Sequence, residues 1–149
     1  MAAFSVDTNI LVYATDPSAA EKMPHARRLL SSVARTDAVI TQQVIGEFLN
    51  VSRRSSHLNQ RRLRRIANRL CGVFPIIATS RPLLFDAFDL AERYRLQFWD
   101  AVIISVCDAH GVSTLFTEDM QDGQRIGGLK IVNPFNPANA DEVDSYLLT

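Results

Sequence analysis

The sequence predicts an α/β fold built on a mostly parallel sheet. Five short apolar stretches are typical of buried strands, and longer segments with helical spacing separate most of them. Strands that alternate with helices favour parallel pairing, because a crossover helix returns the chain to the same edge of the sheet. No repeat, low-complexity tract or Gly/Ser linker interrupts the 149 residues, so we expect one domain over residues 1–149.

The elements follow one another in a regular order. The expected strands are AAFSV near the start, AVIT around residue 40, VFPII around residue 75, and STLFT and KIVN toward the end. Helical spacing covers Ala20–Val33, Val44–Ser52 and Leu58–Cys71. Pro82 is typical of the first position of a helix over LLFDAFDLAERY, and Gly111 ends the helix AVIISVCDA. DEVDSYLL forms a short last helix after the turn-rich passage NPFNPANA.

Composition excludes several classes of protein. Apolar residues make up 47% and charged residues 21% of the chain, which is ordinary for a globular protein and argues against disorder. The formal net charge is zero, so any attraction to nucleic acid must be local. No apolar stretch approaches the about 20 residues of a membrane span, and without a basic and then apolar segment after Met1 we expect no signal peptide. We expect a cytoplasmic protein without a membrane partner, in which Cys71 and Cys107 are buried and reduced.

Acidic residues recur where a strand ends or a helix begins. They are Asp7 after the first strand, Glu47 early in the helix after AVIT, Asp100 before AVIISVCDA, and Glu118, Asp119 and Asp122 in TEDMQDG after STLFT. The carboxyl ends of parallel strands and the helix starts that follow them lie at one edge of a sheet. We therefore expect these carboxylates to meet in one cleft.

Each acid also suits an ordinary structural role. Asp7 and Asp100 are good helix N-caps, Glu47 fits a helix surface, and Asp119 and Asp122 are common turn residues. Those roles leave the shared position unexplained. Clustered carboxylates repel one another unless a cation is present, and Mg²⁺ and Mn²⁺ prefer such oxygen ligands. From the residues alone, a set of caps and a divalent-metal cleft both stay open.

Four segments taken together resemble a known family. Asp7-Thr8-Asn9 after the first strand, Glu47 on an early helix, Trp99-Asp100-Ala101 and Thr117-Glu118-Asp119 resemble the four acidic motifs of PIN-domain nucleases. The local forms DTNILVYA, FWDAVI and LFTEDMQDGQ are most similar to VapC-type toxin ribonucleases of bacterial toxin–antitoxin pairs. The order, the spacing and the total length fit over essentially the whole chain.

The resemblance implies a Mg²⁺- or Mn²⁺-dependent endoribonuclease with a PIN-like fold, a largely parallel sheet of about five strands with helices on both faces. It implies that one or two ions are held by Asp7, Glu47, Asp100 and Asp119, and that metal-activated water hydrolyses the RNA phosphodiester. Groups that orient these carboxylates or contact phosphate would be Thr8, Asn9 and Thr117. Glu118 and Asp122 are further candidates for such contacts, and whether one of them shares or replaces the role of Asp119 stays open. The implied partners are an RNA substrate and a cognate antitoxin protein.

A strongly basic stretch lies in the middle of the chain, with no acidic residue between Glu47 and Asp86. Its arginines are Arg53, Arg54, Arg61, Arg62, Arg64, Arg65 and Arg69. They form a solvated helix face, or they attract the RNA backbone through salt-sensitive phosphate contacts. The resemblance adds that this surface, or the helices beside it, receives the C-terminal segment of the antitoxin. The last two interpretations are compatible.

Apolar residues cover more than one side of the helix LLFDAFDLAERY, which favours a homodimer contact. They are Leu83, Leu84, Phe85, Phe88 and Leu90. We expect Phe98 and Trp99 in the core or at an interface rather than as platforms for stacked bases.

Other classes of protein also place an aspartate after the first strand. A haloacid-dehalogenase-like phosphotransferase would need a second aspartate two residues after Asp7, where this chain has Asn9. A receiver domain would need paired acids in that loop and an aspartate after a mid-chain strand, and VFPIIATS has none. A non-catalytic acidic-cleft module that binds RNA or a protein is the remaining alternative. Four intact acids disfavour it, because unneutralised carboxylates bring such a module no benefit.

Overall fold

The computed structural model describes residues 3–147, in which one strand followed by two helices occurs three times before three consecutive strands and a last helix. The strands are β1 (Phe4–Val6), β2 (Ile40–Thr41), β3 (Ile76–Ile77), β4 (Thr114–Phe116), β5 (Arg125–Ile126) and β6 (Leu129–Val132). The helices are α1 (Thr8–Thr15), α2 (Lys22–Val33), α3 (Gln42–Ser52), α4 (Gln60–Val73), α5 (Arg81–Tyr94), α6 (Phe98–Ala109) and α7 (Ala140–Leu147), with a 3-10 turn at Pro137–Asn139. Ala2 and Leu148, at the ends of the expected first strand and last helix, lie outside the described residues.

The sheet is mostly parallel, as predicted. β1, β4 and β6 pair in parallel, β2 and β3 form a second parallel pair, and β5 pairs antiparallel with β6. Backbone hydrogen bonds from Ala3 N to Asp37 O (3.2 Å) and from Val39 N to Phe4 O (3.0 Å) join the β2-β3 pair to the four-stranded sheet β1-β4-β6-β5. The parallel strands therefore run in the order β3-β2-β1-β4-β6.

Strand β5 is an addition to the five expected strands. It covers only Arg125–Ile126 and returns to β6 through a two-glycine turn. Gly127 has φ +58°, a backbone conformation that glycine adopts without steric cost. Unlike the two-residue strands β2 and β3, β5 lies in no apolar run, because Ile126 stands alone between Arg125 and Gly127, so this strand carried no sequence signal.

Side-chain caps explain where α3 and α4 begin. Thr41 Oγ1 accepts a hydrogen bond from Val44 N (3.2 Å), so α3 begins two residues before the predicted Val44. Asn59 caps α4 in the same way, which moves its start to Gln60. Helix α5 begins one residue earlier than predicted and places Pro82 second.

Helix α6 lies at the centre of the molecule. Every residue from 101 to 107 is buried, and β4 beside it contributes Leu115 and Phe116, both fully buried. Cys107 is part of this core, and burial raises the pKa of its thiol to about 12, so that it stays protonated. The predicted burial of Cys71 is wrong, because this free thiol is exposed on α4. Within residues 3–147, no helix combines the length and the apolar character that crossing a membrane requires.

Candidate functional site

The carboxylate of Asp7 is fixed at the point where β1 ends and α1 begins. Oδ1 caps α1 by accepting a hydrogen bond from Thr8 N (2.7 Å), and Oδ2 accepts one from Thr117 Oγ1 (2.8 Å). Asp7 is 4% exposed and Thr117, just after the neighbouring strand β4, is fully buried. Asp7 is therefore both a helix cap and a rigidly held anion.

Glu47 joins this group from the next helix along the sheet edge. Its Oε2 accepts a hydrogen bond from Thr8 Oγ1 (2.8 Å) and its Oε1 accepts one from Gln43 Nε2 (2.7 Å). Gln43 Nε2 also donates to the carbonyl of Trp99 (3.1 Å), the residue before Asp100. One amide thus connects Glu47 on α3 to the first turn of α6.

Gln43 was not among the residues predicted for the site. It lies four residues before Glu47, one helical turn away, and side chains at this spacing meet on a helix surface. That spacing was the available signal, but a glutamine at i−4 of a glutamate is common on solvated helices. Only the contact with α6 shows that Gln43 belongs to the site.

Asp119 completes the edge from the loop after β4. Its Oδ2 accepts a hydrogen bond from Asn9 Nδ2 (3.1 Å), and its backbone N donates to Thr117 Oγ1 (3.2 Å). Asn9 Nδ2 also contacts Thr117 Oγ1 (3.2 Å). The Thr117 hydroxyl thus gives its proton to Asp7 and accepts from two donors, which satisfies all its hydrogen-bonding capacity.

Asp100 is the third residue of α6 and does not cap it. Gln97 is the cap, because its side-chain oxygen accepts a hydrogen bond from Asp100 N (3.1 Å). The N-cap interpretation of Asp100 is therefore wrong, and the helix begins three residues before Ala101. Among the described residues, no hydrogen-bond donor contacts the half-buried Asp100 carboxylate.

The four acids influence one another electrostatically. Burial raises the pKa of Asp100 to about 6, and the negative charges of Asp7, Asp119 and Glu47 add to the shift. Burial also raises the pKa of Asp7; the hydrogen bonds from two threonines oppose this shift, and the charges of Glu47 and Asp119 reinforce it. Without a cation, this edge of the sheet carries repulsion between anions.

The donor set fits a hard divalent cation that keeps part of its water shell. Within the described part of the chain, no three His, Cys, Asp or Glu side chains are arranged to hold a metal ion together. Mg²⁺ usually binds through one or two carboxylates and retains several waters, so it needs no closed cage. The four acids offer only oxygen ligands, which Mg²⁺ and Mn²⁺ prefer.

The other two acids of TEDMQDG contact different parts of the molecule. Glu118 accepts hydrogen bonds from Tyr13 Oη and Lys22 Nζ, on α1 and α2. Asp122 accepts hydrogen bonds from the passage before α7, from Asn133 N (2.9 Å), Asn136 Nδ2 (2.9 Å) and Asn139 Nδ2 (2.8 Å). The structure brings together Asp7, Glu47, Asp100 and Asp119, with Thr8, Asn9 and Thr117 between them.

The arginines of the basic stretch are all exposed, and no ion pair within residues 3–147 involves any of them. A groove of about 670 Å³ lies between α3 and α4. Its apolar lining is Leu49, Leu63 and Ala67, and its charged lining is Arg53, Arg61 and Arg64. Arg54, Arg62, Arg65 and Arg69 do not line it.

An apolar patch lies beside the first turn of α6. Its most exposed members are Phe85 (66%), Phe88 (59%) and Trp99 (53%). With Leu84 and Phe98 they surround a shallow depression of about 370 Å³. Trp99 was expected in the core or at an interface rather than as a platform for stacked bases, and its exposure excludes the core.

Comparison with known families decides the identity of the fold. The model of the PIN domain family matches residues 5–125, a segment that contains all four acids. The chain belongs to the PIN domain family. The sequence resemblance is confirmed, and the α/β fold with its mostly parallel sheet is the PIN fold.

Several solved structures have a fold similar to that of this PIN domain. A toxin–antitoxin complex from Klebsiella pneumoniae is 21% identical, with a TM-score of 0.65 over 89% of this chain and 98% of that chain. Mycobacterium tuberculosis VapC20, a sarcin–ricin loop cleaving toxin, is 21% identical, with a TM-score of 0.64 over 76% and 87%. DNA-bound VapBC from Salmonella typhimurium is 17% identical, with a TM-score of 0.65 over 88% and 97%. A comparison with curated proteins gives no match.

Proposed function

We propose that this PIN domain is a Mg²⁺- or Mn²⁺-dependent endoribonuclease and the toxin of a bacterial toxin–antitoxin pair, acting in the cytoplasm. The observation that carries the proposal is the continuous hydrogen-bonded edge that joins Asp7, Glu47 and Asp119, with Asp100 beside it. Structural neighbours described as toxins or toxin–antitoxin complexes support the biological role.

The bound ion would neutralise the phosphodiester charge and lower the pKa of the attacking water. Asp7 would be its fixed ligand, because hydrogen bonds to both carboxylate oxygens allow one orientation. Glu47 is oriented by Thr8 and Gln43, and Asp119 by Asn9. Asp100 has no protein donor on its carboxylate, so it is available to hold the ion or to accept the proton of the water. Hydrolysis would leave a 5′-phosphate and a 3′-hydroxyl.

The basic stretch would serve both expected partners. The four arginines outside the groove are exposed charges without ion-pair partners among residues 3–147, and they would attract the RNA backbone regardless of its sequence. The α3–α4 groove combines an apolar floor with an arginine rim, which fits an acidic, amphipathic segment of the antitoxin. RNA and antitoxin would therefore meet neighbouring parts of one surface.

The apolar patch around Phe85, Phe88 and Trp99 would form the homodimer contact. Aromatic side chains at this exposure are enriched where proteins associate. Both signs of charge flank the patch on α5, with Asp86 and Arg81 exposed, which suits a surface that pairs with its own copy.

Cleavage of total RNA tests the nuclease proposal. Purified protein is incubated with RNA in Mn²⁺ or in a chelator, and fragment ends are mapped. We expect fragments with 5′-phosphates in Mn²⁺, intact RNA in chelator, and intact RNA with Asp100→Asn in Mn²⁺. RNA that binds without being cut in Mn²⁺ would instead support the non-catalytic acidic-cleft module.

A further inference from the structure

The two neighbouring acids Glu118 and Asp119 contact opposite sides of their loop. Glu118 Oε1 accepts a hydrogen bond from Tyr13 Oη and Oε2 accepts one from Lys22 Nζ, both at 2.5 Å. Asp119 contacts Asn9 at the sheet edge. The sequence shows two equivalent carboxylates, and the structure assigns each to a different environment.

Tyr13 and Lys22 are themselves held in place. The Lys22 ammonium lies 4.8 Å from the centroid of the Tyr13 ring and 5.6 Å from that of Phe135. The Tyr13 and Phe135 rings pack edge to face at 5.3 Å. Glu118 is only 23% exposed at its side chain, so the cluster is shielded from solvent on its acidic side.

The far end of the same loop is tied down independently. Asp122 accepts hydrogen bonds from three asparagines of the passage before α7, and Met120 between the two anchors is 9% exposed. Both acids that flank Asp119 are therefore engaged as anchors. The backbone that carries Asp119 is held on each side of it.

We infer that Tyr13 and Lys22 are positioning residues for Asp119. By holding the Glu118 carboxylate against α1 and α2, they fix the loop so that Asp119 alone of the TEDMQDG acids faces Asp7. The inference rests on the proposed function for its consequence, because Asp119 matters to the reaction only as an ion ligand. Losing the anchor frees the loop and brings Glu118 into competition with Asp119.

A second cluster of the same composition supplies a matched control. Lys130 Nζ and Tyr146 Oη both donate to Glu142 Oε1, at 2.6 Å and 2.7 Å. This cluster joins β6 to α7, and among residues 3–147 neither Lys130 nor Glu142 hydrogen-bonds the four acids. The charge of Lys130 also acts on Asp122, but the three asparagine hydrogen bonds that hold Asp122 remain in the control variant. Substituting its lysine and tyrosine removes the same groups from a different place.

The experiment compares Tyr13→Phe/Lys22→Met with Lys130→Met/Tyr146→Phe. Amide hydrogen exchange without metal reports loop order, and calorimetric titration with Mn²⁺ reports ion affinity. In the Tyr13/Lys22 variant we expect faster exchange at the Glu118 and Asp119 amides and an about 10-fold weaker Mn²⁺ affinity. Cleavage at saturating Mn²⁺ should recover toward the wild-type rate. The control variant should keep wild-type values at these amides and for Mn²⁺.

Lys22→Met alone provides the milder variant, because the Lys22 side chain is 40% exposed and its loss disturbs little packing. It should shift exchange and affinity in the same direction. Unchanged exchange and affinity in a folded Tyr13/Lys22 variant would overturn the inference and leave the nuclease proposal standing. A wild-type protein that binds no Mn²⁺ would overturn the nuclease proposal and the positioning role with it.

Discussion

Two regions of this PIN domain are strongly charged, and they are organised in opposite ways. One is the acidic edge, formed by Asp7, Glu47, Asp100 and Asp119, and the other is the arginine stretch between Arg53 and Arg69. Asp7, Glu47 and Asp119 each accept hydrogen bonds from neighbours on other turns or strands, and Asp7 is buried. The seven arginines are all exposed and make no ion pair among residues 3–147. A site that holds an ion needs fixed oxygen positions, whereas attraction of a polyanion needs only charge at the surface.

The largest expected effect comes from removing one charge of the acidic edge. Asp7→Asn keeps the shape of the side chain but removes a fixed anionic ligand. RNA cleavage should therefore fall by more than about 100-fold, a larger loss than is typical when a residue that only hydrogen-bonds a metal ligand is removed. Initial rates on a defined RNA in Mn²⁺ measure the loss. Asp144→Asn, which removes an exposed partner of Arg28, should leave the rate unchanged. Cleavage by Asp7→Asn at the wild-type rate would contradict the assignment of Asp7 as an ion ligand.

Charge reversal on the arginine side should change binding rather than chemistry. The variant reverses Arg54, Arg62, Arg65 and Arg69 to Glu. Each lost phosphate contact lowers the magnitude of the slope of log K against log salt by about 0.7 for a single strand. The loss of all four contacts should therefore lower that magnitude by about 3. Fluorescence anisotropy with single-stranded RNA at several salt concentrations measures it. An equal slope change on reversal of Arg35, Arg81, Arg93 and Arg125 would show that the effect is one of net charge only.

An intermediate effect is expected at Gln43, which orients an acid without being one. Gln43→Ala removes the donor that joins Glu47 to the carbonyl of Trp99, so cleavage at fixed Mn²⁺ should fall by about 10-fold. Raising the Mn²⁺ concentration should restore part of the rate. Its exposed neighbour offers the control, because Gln42→Ala removes a similar amide one residue away. Equal rates for both variants would exclude an orienting role for Gln43.

The smallest effect is on stability as a function of pH without metal. The pKa of Asp100 is raised from 3.8 to about 6 by burial and by its acidic neighbours. An acid with a raised pKa contributes stability below its unfolded-state pKa, and this contribution is lost as pH rises through the folded-state value. The melting temperature should therefore fall between pH 5 and pH 7.5, and Mn²⁺ should restore more of it at pH 7.5.

Thermal melting of Asp100→Asn tests the origin of that slope. The variant has no titrating group at this position, so its melting temperature should change less between pH 5 and pH 7.5 than that of the wild type. Asp144→Asn should keep the wild-type slope, because this aspartate is paired with Arg28 at the surface. A slope unchanged by Asp100→Asn would assign the pH dependence to other groups.

Local patterns were enough to predict most of the fold. Apolar runs indicate β1, β2, β3, β4 and β6, and helical spacing indicates the helices between them, because both patterns repeat within a few residues. Gly111, with φ +75°, ends α6 as predicted. Strand β5 was missed because it lies outside any apolar run, with Ile126 alone between Arg125 and Gly127. Cys71 was misplaced because a thiol within an apolar helix does not show which face it occupies.

The positions of the four acids relative to strand ends can be found in the sequence, and parallel topology turns those positions into one edge of the sheet. The groups that orient the acids are known only from the folded chain, because hydrogen-bond partners such as Gln43 and Trp99 are 56 residues apart along the chain. The folded chain also places the side chains of Glu118 and Asp119 in different environments. Adjacent carboxylates are chemically alike, and their difference comes from Tyr13, Lys22 and Asn9, which approach the loop from other elements.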